Sequence, residues 1–179
     1  MMYHGVLQFW FEESDPSQWF SKNEVFDRMI VERFAEIHGR AARCELHAWR
    51  EQARGRLAEI VVLDQFSRNM FRGSPLSFAQ DALALALAQE AVAAGADKQL
   101  TTVERGFIYL PFMHSESAMI HETAERLYRE HGVASSLEWE LRHKRIIERF
   151  GRYPHRNVIL GRTSTSEELS FLKQPGSSF

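Results

Sequence analysis

The chain has 179 residues, of which 44% are hydrophobic and 26% charged, with a formal net charge of -2. That is ordinary for one soluble globular domain spanning residues 1–179, and it offers no basic field to attract nucleic acid. The single cysteine, Cys44, excludes a disulfide framework or a cysteine-based zinc site within one chain.

No apolar run approaches transmembrane length, and the start MMYHGVLQFWF lacks the basic segment of a secretory signal. The expectation is a cytoplasmic protein with no membrane partner. Arginine outnumbers lysine 18 to 4. This suits planar, partly buried ion pairing or anion recognition, although a G+C-rich genome gives the same bias.

Almost every segment reads at helical period. Residues 3–11 predict a short aromatic helix. Ser21 and Glu24 read as a capping box before a helix ending near Gly39. A short helix follows around Cys44–Arg50, then one over 55–70. Ser74 and Pro75 read as the N-cap and first turn of a long Ala/Leu helix that closes at Gly95. Thr101 and Glu104 form another capping box. Its helix runs to Pro111, which should kink or end it. Helices over 116–131 and 136–150 stop at Gly132 and Gly151. Thr165 and Glu168 cap a last short helix, and the tail after Pro175 is expected to be loose. No strand pattern competes. The fold class is therefore all-α, with antiparallel helical hairpins and no sheet.

Polar groups interrupt three apolar faces. Leu57, Val61, Asp64 and Arg68 share one helix face, and Asp64 and Arg68 stand in the favourable acid-first order. Val103, Phe107, Leu110 and His114 share another, and Trp139, His143, Ile146 and Phe150 a third. Buried polar groups need partners. The simplest arrangement is that they partner one another, with the donor-rich segment FGRYPHRNVILGR, residues 150–162, folding over them. Gly151 and Pro154 prevent this segment from continuing a helix.

Several chemistries fail on spacing. His121-Glu122 begins H-E-x-x-E rather than the H-E-x-x-H of zinc proteases. Glu140 and His143 give one E-x-x-H where a di-iron bundle needs two. A zinc site from His114, Glu116, His143 and His155 suits the ligand types, but neighbouring arginines would repel the cation, so no metal is expected. No phosphate-binding glycine loop, dinucleotide fingerprint or nucleophile elbow is present, and no cofactor is legible.

The chain resembles the bacterial DUF924 proteins, a domain of unknown function, over nearly its whole length. The resemblance rests on Phe9-Trp10-Phe11, on LDQFSRN at 63–69, on LPFMHSE at 110–116, and on FGRYPHRNVILGR. Ser67 and Tyr153 stand where Pro and Phe are common in relatives. The resemblance implies an all-helical, tetratricopeptide-like superhelix and no established activity. Its motifs pick out Asp64, Gln65, Arg68, Asn69, His114, Ser115, Glu116, Arg152, His155, Arg156, Asn157 and Arg162.

Three readings follow. In the first, the centre binds a small anionic molecule such as a phosphate or carboxylate. His114, Glu116 and His155 are then the candidate catalytic groups, and Asp64, Arg68, Asn69, His143, Arg152, Arg156 and Asn157 the candidate ligand-binding ones. In the second, the helices form a scaffold for a protein or peptide partner. In the third, the motifs are an internal latch. Arginines fully paired with acids and carbonyls would favour the latch, and open arginines and histidines in a deep pocket would favour the first reading.

Overall fold

The computed structural model describes residues 3–132 and 134–178, and all regular structure among them is helical. The first turn of helix, α1 (Tyr3–Gln8), runs into a π-helical turn at Phe9–Glu13. There Phe9 and Trp10 enter the core, where they meet Phe26 and Phe66 with ring centroids 5.5–6.1 Å apart. Fully burying side chains of this size contributes roughly 1.5–3 kcal/mol each.

α2 (Glu24–Ala42) is capped by Asn23, whose side chain accepts from the amides of Val25 and Phe26. The expected Ser21–Glu24 box is thus displaced by a better-placed Asx cap, and the helix continues past Gly39. A 3-10 turn at His47–Glu51 precedes α3 (Ala53–Val61). Gly55 is required here, because a Cβ would lie 2.0 Å from the Trp49 carbonyl oxygen. A π-helical turn at Val62–Phe66 links α3 to α4 (Ser67–Met70), so one helical run carries the LDQFSRN motif with a π turn at its middle.

Ser74 and Pro75 open a separate 3-10 turn, Pro75–Phe78, and not the long helix itself. That helix, α5 (Asp81–Ala93), starts afresh at Asp81. α6 (Thr102–Met113) keeps its Thr101–Glu104 capping box and does not end at Pro111 but continues to Met113, with His114 as its C-cap. α7 (Ala118–His131) and α8 (Ala134–Phe150) follow, and Gly151 terminates α8 in the left-handed region at φ 68°. Thr165 and Glu168 cap α9 (Ser166–Phe171). The segment after Pro175 is not loose over its described part. Ser177 is buried and its hydroxyl donates to the Leu172 carbonyl at 3.1 Å.

Successive helices pack on one another: α5 on α6, α6 on α7, and α7 on α8. α3 lies against α1, α5 and α6, and so carries the middle of the core. A smaller apolar cluster of Ile146, Ile147 and Tyr153, flanked by Phe150 and Phe171, anchors the C-terminal loop and α9 to α8. Two face expectations fail at their ends: Trp139 and Val103 are 49% and 54% exposed. Helical spacing fixes which residues share a face, but not how far along that face the neighbouring helix reaches. No helix among the described residues is long and apolar enough to cross a membrane.

Candidate functional site

The π turn at Val62–Phe66 sets the local chemistry. Side chains take up the carbonyls around it: the Ser67 hydroxyl donates to Leu63 O at 2.6 Å, and Arg68 Nη1 donates to Asp64 O at 2.8 Å. The Asp64 carboxylate is 1% exposed and makes three side-chain contacts. Its Oδ1 accepts from His114 Nδ1 at 2.8 Å and lies 3.2 Å from Arg68 Nη1, while Oδ2 accepts from Gln65 Nε2 at 2.6 Å. Burial alone would raise this carboxyl. The charge of Arg68 and the hydrogen bonds from His114 and Gln65 more than reverse that and hold it well below the usual range. Burial, reinforced by the Arg68 charge, lowers the His114 imidazole despite Asp64. The ionised carboxylate fixes Nδ1 as the protonated nitrogen and leaves Nε2 as the basic one.

The loop after α8 closes over this pair. Arg156, only 6% exposed, donates to Asp81 Oδ2 at 3.2 Å and to His114 O at 3.1 Å. Its guanidinium lies between the rings of Phe78 and Tyr153, 4.6 Å from each centroid. Arg68 reaches the same acid through a fork, at 2.9 and 3.1 Å. Arg68 and Arg156 therefore meet on one carboxylate, and Arg68 ties it to Asp64 and through Asp64 to His114, so three distant segments join. That carboxylate, Asp81, lies outside every motif read from the sequence.

The other candidates lie around or away from this centre. Glu116 accepts both forks of Arg162, at 2.6 and 2.9 Å, and the Tyr153 amide at 2.7 Å. Burial pushes its carboxyl up, but Arg162 and that amide bring it below the ordinary value. His143 Nδ1 bonds the Trp139 carbonyl at 2.8 Å, and its ring faces Tyr153. Burial pushes His143 down to about 3. It pushes His155, which also lies beside the Tyr153 ring, down to about 4 with help from the Arg156 charge.

Arg152 turns to Glu168, at 2.6 and 2.8 Å, and to Thr163 O, which ties the loop to α9. Asn157 links Ser164 and Arg162 within the loop. Asn69 belongs to a different group: with Arg72 it pairs Asp27 on α2, at 2.8 Å. Adjacent motif positions on a helix diverge by about 100°, so Arg68 and Asn69 cannot serve one site.

Among the described residues, no group of three or more His, Cys, Asp or Glu side chains is placed to hold a metal ion. Two surface pockets lie elsewhere. One, of about 420 Å³, is lined by Arg50, Gln52, Arg54, Arg56 and Gln99. The other, of about 410 Å³, is bordered by Lys22, Asp27, Arg28, Asn69 and Arg72.

A helical domain whose sequence motifs converge on a buried Arg/Asp/His centre defines the class. The family described as "Bacterial protein of unknown function (DUF924)" matches residues 6–176, and the chain belongs to it. The solved structure of a protein of unknown function, ATU0120 from Agrobacterium tumefaciens, is similar at 40% sequence identity and a TM-score of 0.91. The match covers 96% of this chain and 96% of that one. No curated protein matches the sequence.

Proposed function

We propose that the centre is a small-molecule site of the acid–base type. His114 Nε2 exchanges the proton, Asp64 holds the ring, and the arginines and Asp81 form the frame. The observation that supports this reading is the 2.8 Å bond from His114 Nδ1 to an ionised, buried Asp64. It directs the lone pair of a neutral imidazole, 15% exposed, away from the acid. A histidine kept neutral at pH 7 and fixed in one tautomer is a competent general base. The ligand best suited to it carries a carboxylate or phosphate, because the partly open Arg68 lies within the same cluster and can share its fork with an incoming anion.

The pairing of the arginines favours a second reading. Arg68 and Arg156 face Asp64 and Asp81, Arg162 faces Glu116, and Arg152 faces Glu168, so each cation already has an acid. In that reading the bonds latch three segments and nothing is bound.

A thermal-shift screen separates the two. Phosphate, sulfate, nucleotides and short carboxylates are tested against wild type and His114→Gln. A ligand at 100 times its Kd adds roughly 2.7 kcal/mol to stability. Stabilisation of wild type that is weakened in the variant supports the site. No response to any of these anions supports the latch.

A further inference from the structure

The buried pair His121 and Glu140 lies outside the proposed site. His121 projects from α7 and Glu140 from α8, both side chains are 0% exposed, and Nδ1 lies 2.7 Å from Oε1. The other ring nitrogen, Nε2, faces Ser115 O at 2.9 Å and the Tyr153 hydroxyl at 3.2 Å. A carbonyl only accepts. The Tyr153 hydroxyl directs its own hydrogen to Met113 O at 2.5 Å, so its oxygen can only accept from His121. Nε2 therefore carries a hydrogen. The 2.7 Å contact on the other side also requires one, since a bare nitrogen lone pair facing a buried carboxylate is repulsive. Imidazolium with carboxylate, and neutral imidazole with carboxylic acid, both satisfy this. Either way the pair holds one proton more than a free histidine and a free glutamate hold at neutral pH.

The surroundings favour keeping that proton. Glu140 Oε2 and the Tyr128 hydroxyl are buried without hydrogen-bond partners among the described residues. Burial raises the Glu140 carboxyl above its usual value, against the pull of His121 and Lys144. Other titratable groups facing the pair are Glu125 and Tyr128 from α7, His143 from α8 and Tyr153 from the loop; Tyr109 of α6 packs behind Tyr128. Lys144 is itself bound to Glu122 and Glu125 at 2.7 and 2.8 Å. Its charge is thus committed to the α7 surface.

We propose that His121 and Glu140 form a proton-operated lock that joins α7, α8 and the loop at Tyr153, closed while the pair shares one proton and released when alkaline pH removes it. Above about pH 6.5, where an ordinary histidine is neutral, the unfolded chain lacks this proton and the folded chain has it. The folded state then binds one more proton than the unfolded, so stability falls as pH rises. Each pH unit lowers the folding equilibrium constant tenfold until the pair itself deprotonates.

The experiment is urea unfolding of wild type and Glu140→Gln from pH 6.5 to 9.5. The carboxamide can donate to Nδ1 permanently, so that variant carries no extra titrating proton. The expected result is that wild type loses its stability relative to Glu140→Gln by about tenfold in the equilibrium constant per pH unit. Parallel profiles overturn the proposal. If the variant does not fold, nitrogen chemical shifts of His121 in the wild-type protein decide. Retention of both ring hydrogens, or of an Nε2 hydrogen opposite a protonated Glu140, at pH 8 supports the lock. Loss of the shared proton at or below pH 6.5 overturns it.

Discussion

Arg68 and Arg156 meet on one oxygen: Asp81 Oδ2 accepts from Arg68 Nη2 at 3.1 Å and from Arg156 Nη1 at 3.2 Å. Two like charges are held side by side by a single acid at the first turn of α5. Asp81→Asn keeps the shape and removes the charge, leaving Arg156 with one carbonyl and two aromatic faces. The expected cost is about 3 kcal/mol, the lower end for breaking a buried pair, because Asp81 keeps some solvent access. Urea unfolding measures it. A loss below about 1 kcal/mol would show that Asp81 acts as an exposed acid.

Acid should destabilise the fold through histidines buried neutral. Burial pushes His143 down to about 3 and His155 down to about 4. In the unfolded chain both take up protons once pH falls below roughly 6.5. Between those limits the folded state binds fewer protons, so this stability is present above pH 6.5 and lost as pH falls. Each group contributes at most about 1.4 kcal/mol per pH unit, so the pair accounts for up to about 4 kcal/mol between pH 6.5 and 5. Equilibrium unfolding at several pH values checks the slope, and His155→Gln should remove part of it whatever that substitution does to stability at pH 7.

The Ser67 hydroxyl serves two masters, donating to Leu63 O and accepting from His38 Nε2 at 2.8 Å. Both side chains are buried, and burial keeps His38 below its ordinary value. Ser67→Ala strands the His38 N–H, at an expected cost of about 1–3 kcal/mol. The double variant Ser67→Ala, His38→Leu removes both polar groups, so a double-mutant cycle should show positive coupling; strictly additive losses would mean that the pair does not interact.

The contrast between Asp64 and Asp81 shows how far the sequence alone could lead. Asp64 was legible because it interrupts an apolar helix face, and the all-helical class was legible because caps and period agree along the chain. Asp81 was not, because the helix expected from Pro75 makes it an ordinary polar position beyond the first turn, with no hint of two arginines arriving from residues 68 and 156. The π turn was also hidden, since IVVLDQF reads as α-helix at every position. Arg152 and Asn69 looked like members of the centre because they lie within its motifs. Their side chains leave in other directions, to Glu168 and to Asp27.

Arg152→Ala should act locally. Its fork holds Glu168, whose carboxyl is drawn down to about 2 chiefly by that bond and which also caps α9 at Thr165. Amide hydrogen exchange over residues 163–178 should speed up in the variant, while α3 and α6 keep wild-type protection. Equal acceleration in those core helices would show that α9 is part of the global folding unit rather than a separately opening one.

The π turn at Val62–Phe66 also makes chain length a structural variable. An i→i+5 turn holds one residue more than an i→i+4 turn for nearly the same rotation, so losing one residue there would return the run to plain α-helix with Arg68 still facing Asp81 and Asn69 still facing Asp27. The same loss elsewhere in the run would turn everything beyond it by about 100° and break both contacts. Within this helical run a descendant of the sequence can shed a residue only at the π turn, so gaps in related sequences should fall inside that turn or outside the run altogether.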